Sequence, residues 1–202
     1  RNRPTSHPQS NTLQKQVEKA VSALRIGGVI SIPTDTLYGL SASAVNSSAV
    51  NRVYKIKNRP KNMPLPILLA DFSDISKYCI KVPELAWDIA KSFLPGPLTL
   101  VLNSSKVLPD IVRGGGDTIA IRIPNHSIPR TIVRTLGSPI VGTSANQSGM
   151  PNLTTAEEVK NQFGKKIDYV IDDGKCPEGV ASTVLDISSK TPLILRSGAI
   201  SH

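Results

Sequence analysis

Residues 29–40, VISIPTDTLYGL, change character at their midpoint. The first four are β-branched or small, bounded by Gly27-Gly28 before and Pro33 after, and read as a short buried strand. Proline has no N–H for a sheet ladder, so the strand ends at Pro33. The next six residues hold two hydroxyls, a carboxylate, a phenol and a glycine, a dense polar set for a connector. Polar side chains at the carboxyl end of a strand are where α/β proteins bind ligands. Thr34, Asp35 and Thr36 suit an Asx-type turn equally well.

Outward from that stretch, helices and strands are interspersed. Leu13, Val17, Ala20, Val21 and Leu24 repeat at helical spacing over 13–25, with Asn11 and Gln14 as a reciprocal cap and Gly27-Gly28 as the stop. A second helix over 48–57 carries Ala49, Val53 and Ile56 inward and ends before Pro60 and Pro64. LPILLA (65–70) reads as a strand, and 83–93 as a helix with Ala86, Ile89, Ala90 and Phe93 inward. PGPLTLVL (95–102) turns into another strand. In TIAIRI (118–123) the isoleucines alternate onto one face and Arg122 onto the other. A helix over 127–136, a strand PIVG (139–142), a helix opened by Thr155 with Glu158, and strands DYVI, STVLDI and PLILR complete the chain. This pattern predicts one α/β domain on a twisted mixed sheet with flanking helices, over 11–202, after a flexible N-terminal edge at 1–10.

Composition narrows the chemistry. Lys and Arg total 24 against 15 Asp and Glu, a net charge of +9, which favours phosphates, nucleotides or nucleic acid as partners. Two cysteines, Cys79 and Cys176, are too few and too distant for a zinc site and fit a reducing compartment, so a cytoplasmic protein is expected. No apolar run approaches the roughly 20 residues of a membrane span. The first residues, RNRPTSHPQSN, bear Arg and Ser without acids, the composition of a mitochondrial or plastid transit-peptide remnant or of a cut edge. His7, His126 and His202 have no carboxylate at a pairing spacing in the sequence, no Walker lysine follows a glycine-rich loop, and RGGGD (113–117) reads as a flexible turn.

What remains is a scatter of cations and hydroxyls near element ends: PTDTLYG, KIKNRP, AIRIP, GTSANQSG, STVLD and ILRSG. Lys57 and Arg59 read either as a solvated helix end or as anion ligands. GTSANQSG reads as a plain loop or as a binding loop. A mid-strand arginine among isoleucines needs a partner, so Arg122 points to a carboxylate or phosphate. Taken together, Lys57, Arg59, Arg122 and Arg196 would balance a triphosphate or carboxylate, while Thr36, Ser144, Ser182 and Asn146 orient a small polar substrate. Such a site needs no nucleophile and works by positioning and charge.

In this order, these six motifs resemble the YrdC-like family of L-threonylcarbamoyladenylate synthases over nearly the whole chain. The resemblance implies a twisted α/β sheet with a basic concave cavity, where L-threonine, bicarbonate or carbon dioxide, and ATP give threonylcarbamoyl-adenylate and pyrophosphate. A downstream transferase complex would use the product to modify adenosine in tRNA. Carried over by position, it places threonine near Thr36, Arg122, Ser144 and Ser182. ATP falls near Lys57, Arg59, Met63, Thr118, Asn146, Thr154 and Arg196. Lys57 and Arg59 take the catalytic roles. Magnesium is expected with the triphosphate, held by phosphate oxygens and water, with no protein metal cage. Relatives often carry a histidine where this chain has Leu68, and the chain resembles the short single-domain branch.

Two other classes compete. A non-catalytic module for tRNA or double-stranded RNA suits the charge, but 4% aromatic content offers little base stacking. A carbamoyl-adenylate-forming unit would require carbamoyl phosphate in place of threonine.

Overall fold

A computed structural model describes residues 8–177 and 179–201. Among them, nine strands form one mixed sheet in the order β7-β1-β2-β6-β3-β5-β4-β8-β9. The strands are β1 (Ile30–Ile32), β2 (Gly39–Ser43), β3 (Ile67–Leu68), β4 (Leu98–Asn103), β5 (Thr118–Arg122), β6 (Ile140–Ser144), β7 (Tyr169–Val170), β8 (Thr183–Asp186) and β9 (Leu193–Arg196). The helices are α1 (Pro8–Arg25), α2 (Ser47–Lys57), α3 (Ile75–Tyr78), α4 (Glu84–Phe93), α5 (Ser127–Leu136) and α6 (Ala156–Phe163). The pairs β1/β7, β3/β5 and β4/β8 are parallel and the rest antiparallel. The α/β mixed-sheet expectation therefore holds.

Period-two alternation decides which face each strand buries. Ile119, Ile121 and Ile123 enter the larger apolar cluster, with Leu98, Leu100, Leu102, Tyr54 and Phe163. A second cluster on α1 and α5 joins Ala20, Leu24, Ile128 and Ile132 to Ile30, Ile32, Leu68 and Ile140. None of the buried residues in that second cluster comes from β4, β5, β8 or β9, so those four strands are not packed under α1 and α5 as the other half of the sheet is.

Several boundaries differ from the expectation, for identifiable reasons. α1 starts at Pro8, so Asn11 lies inside the helix and is not its cap; proline suits a first turn because its missing N–H would be unpaired there anyway. Residues 8–10, assigned to the N-terminal edge, are thus helical, and 1–7 lie outside the described residues. β2 was not foreseen, because GLSAS has small side chains of weak strand propensity. Those side chains are needed because the strand is buried along its whole length between β1 and β6. The buried stripe of α2 is Ala49, Val50, Val53, Tyr54 and Lys57, rotated from the expected one, so Ile56 is only partly covered. Phe93 is exposed rather than inward, because the helix ends there and Leu94 takes the buried place. The glycine run at 114–116 is pinned: Gly114 and Gly115 adopt positive φ, and buried Arg113 donates to Leu108 O and Gly116 O.

Candidate active site

The uncovered half-sheet meets the β1–β2 turn at an open cleft. Arg122 on β5, Thr99 on β4, Ser182 before β8 and Arg196 at the end of β9 line it. Thr36 from the turn, Ser144 from β6 and Arg59 beyond α2 join them. Of the residues picked from sequence, the cleft gathers Thr36, Arg59, Arg122, Ser144, Ser182 and Arg196 into one lining. Asn146 and Lys57 stand behind Ser144: the lysine Nζ donates to Asn146 Oδ1 at 3.2 Å and to Ser144 O at 2.6 Å.

Three more of those residues also fall outside the lining. Met63 is exposed, and its carbonyl accepts from Arg59 Nε at 3.1 Å. Thr154 sits at the entry to α6, where its carbonyl accepts from Cys176 N. Thr118 lies on the same strand face as Arg122 but at the opposite end of β5, about 13 Å away at strand rise.

Lys57 is no solvated helix end. It is 2% exposed because it lies one turn after Val53 on the buried stripe of α2. Its Nζ also reaches Thr143 Oγ1 at 3.0 Å, so all its partners are neutral oxygens. Burial, with the Arg59 charge second, pushes its pKa down to about 7. Arg59 donates to Met63 O and Pro64 O, and Arg196 to Ser182 O and Ser182 Oγ; burial lowers both pKa values.

Arg122 is 7% exposed and does have the carboxylate its position called for, in Asp35 of the turn. Its guanidinium also donates to Gly96 O and Thr36 Oγ1, both at 3.1 Å. Burial lowers its pKa, and Asp35 opposes that. Tyr38 braces the turn from below: its buried hydroxyl donates to Gly174 O at 2.8 Å and accepts from Asp173 N at 3.2 Å. Burial pushes that phenol up to about 12, so it stays protonated. Gly39 lets β6 approach closely, since a Cβ there would lie 3.3 Å from Thr143 O.

Two lining residues escaped sequence reading. Thr99 sits between core leucines on β4 and shares a 2.8 Å hydrogen bond with Ser182; the alternation that singled out Arg122 would have found it. Gly142 lies directly under Leu68, whose Cγ would be 2.5 Å from an added Cβ. Only the pairing of β3 with β6 reveals that contact. Leu68, the position of the resembled family's histidine, thus forms an apolar floor.

Comparisons with known proteins agree over most of the chain. The family model Sua5_yciO_yrdC, described as telomere recombination, matches residues 22–198. The threonylcarbamoyl-AMP synthase of Pyrococcus abyssi is 40% identical over 185 residues, which is 92% of this chain and 54% of that protein. A putative threonylcarbamoyl-AMP synthase of Methanocaldococcus jannaschii is 44% identical over 174 residues, 86% of this chain and 81% of the other. The structure of P. abyssi Sua5 complexed with L-threonine superposes with a TM-score of 0.88 at 41% identity, covering 90% of this chain and 54% of that one. The chain spans about half the length of the Pyrococcus and Bacillus relatives it matches.

Proposed function

From the premise that this chain belongs to the Sua5_yciO_yrdC family, we propose that it forms L-threonylcarbamoyladenylate and pyrophosphate from L-threonine, bicarbonate or carbon dioxide, and ATP. The observation that carries the reading is charge. Arg59, Arg122 and Arg196 line one hydroxyl-bearing cleft with Lys57 behind Ser144, the lining holds no carboxylate, and Asp35 beside it is already committed to Arg122. An uncompensated cation cluster of this kind is built for an anion.

Arg122 takes the threonine carboxylate, with Thr36, Ser144 and Ser182 as hydroxyl partners. Arg59 and Arg196 take the triphosphate, with Met63, Asn146 and Thr154 toward the nucleotide and Thr118 at the far end of the open face. The threonine amine captures carbon dioxide as a carbamate, and a carbamate oxygen then attacks the α-phosphorus as pyrophosphate leaves. The protein's share is alignment and cationic stabilisation, without a covalent intermediate. Lys57 fixes the Ser144–Asn146 loop from beneath and adds charge when protonated. No group of three or more His, Cys, Asp or Glu side chains able to hold a metal occurs among the described residues. The cleft therefore suits Mg²⁺ only as a companion of ATP, held by phosphate oxygens and water.

The product is a mixed anhydride that a tRNA-modifying transferase complex would consume. We place the reaction in the cytoplasm; both cysteines are free, and no described helix is long and apolar enough to cross a membrane.

The direct test is pyrophosphate release from ATP and bicarbonate with each amino acid in turn. Threonine alone should support it; equal rates with serine and valine would overturn the substrate assignment. A second expected result follows from Lys57. A bound triphosphate raises the pKa of a nearby ammonium, so a lysine near 7 in the free protein takes up about one proton on ATP binding at pH 8. Calorimetry in buffers of different ionisation enthalpy measures that uptake, and zero uptake or release would refute the proximity of Lys57 to the triphosphate.

A further inference from the structure

The β1–β2 turn has no need of an aspartate. Thr34 Oγ1 accepts from the N–H groups of Thr36 and Leu37, both at 3.1 Å, and donates to Leu37 O at 2.6 Å. One hydroxyl therefore closes the turn in the way an Asx side chain would. Asp35 is left with a carboxylate that is 13% exposed and pairs with Arg122 Nη2. No other hydrogen bond to that carboxylate occurs among the described residues.

Arg122 has five N–H groups. Gly96 O, Thr36 Oγ1 and Asp35 each engage one, which leaves two for a ligand in the cleft that Arg122 lines. Gly96 O and Thr36 Oγ1 are neutral. Asp35 alone among these partners supplies the charge that holds a buried guanidinium against its hydration and against repulsion from Arg196. Without it, the side chain keeps two weak hydrogen bonds and gains a strong reason to swing toward water.

We propose that Asp35 is a positioning residue: it aims the two unspent N–H groups of Arg122 into the cleft, so that they meet the carboxylate of the amino acid substrate. The benefit to the substrate rests on the reaction proposed above. The aiming of Arg122 does not.

The experiment compares Asp35→Asn, which keeps shape but removes charge, with Asp35→Glu, which keeps charge on a longer arm. In the ligand-free protein, solvent exchange of the Arg122 Nε–H by ¹⁵N NMR should quicken about tenfold in Asp35→Asn and return toward wild type in Asp35→Glu. In turnover, Asp35→Asn should raise KM for threonine about tenfold, with kcat and the KM for ATP within about twofold, the pattern of lost ground-state binding. Unchanged Nε–H exchange in Asp35→Asn overturns the proposal. So does a fall in kcat with KM for threonine unmoved, because that is what general loosening of the fold would produce. If the wild-type protein turns over no threonine, the reaction assignment falls, and the Nε–H comparison alone still decides whether Asp35 aims Arg122.

Discussion

Arg59→Ala should cut threonine- and bicarbonate-dependent pyrophosphate release by about 100-fold or more, the usual effect of deleting one preorganised donor to a developing charge. The fold should survive. Arg59 is half-buried at the surface and donates to two backbone carbonyls, Met63 O and Pro64 O, both of exposed residues that water can reach when the guanidinium is gone. No carboxylate loses a partner, so the stability change should stay within about 1 kcal/mol. Arg59→Lys should recover only part of the rate, because an ammonium restores charge but not a two-pronged contact with phosphate. Pyrophosphate release, measured beside a thermal melt, checks both halves. An unchanged rate would remove Arg59 from the site.

Lys57 should show the opposite balance, with stability and activity falling together. Lys57→Ala removes three buried methylenes, about 2–3 kcal/mol of transfer free energy. It also leaves a hole beside Thr143 Oγ1, Ser144 O and Asn146 Oδ1, of which the last two keep other donors in Asn146 N and Ser144 Oγ. Lys57→Met keeps the stem and should recover most of the packing, yet remain inactive because the loop carrying Ser144 and Asn146 loses its brace. The pH dependence separates the charge from the packing. The folded protein sheds the Lys57 proton near 7, whereas the unfolded chain keeps it up to the ordinary 10.5. Between those values the unfolded state binds the extra proton, so the wild-type protein gains stability as pH rises through that window. Lys57→Met should lose that rise. Denaturant melts at pH 7 and pH 9.5 measure it, and parallel slopes for the two proteins would contradict the burial of a titrating lysine.

Much of the architecture was readable from short-range pattern. Arg122 stood out because period-two alternation leaves a polar residue no freedom about which face it takes. Thr155 announced α6 with a reciprocal cap, and the structure has Thr155 Oγ1 accepting from Glu158 N at 3.2 Å. β2 stayed hidden because its GLSAS sequence is shaped by the strands on either side, which no local signal reports. Asp35 was hidden for a related reason. Sequence shows an aspartate in a turn, and only the three-dimensional structure shows that Thr34 has taken the turn's hydrogen bonds and that Arg122 meets the carboxylate. Lys57 looked like an ordinary charged helix end until the true angle of the α2 stripe was visible. Long-range partnership, more than residue type, was the missing information.

The unequal cover of the sheet also affects where the molecule can yield. β3 and β6 contribute to both apolar clusters, β1 to the one under α1 and α5 and β2 to the larger one, so opening this half of the sheet means breaking the core. β8 adds only the partly buried Leu185 to an apolar cluster, and β9 ends the sheet with all four residues exposed. Free energies of local opening follow such differences in cover. The strands that bring Ser182 and Arg196 to the cleft are therefore the ones that can part while the rest stays folded. Opening there costs only a fraction of what unfolding the whole molecule would cost.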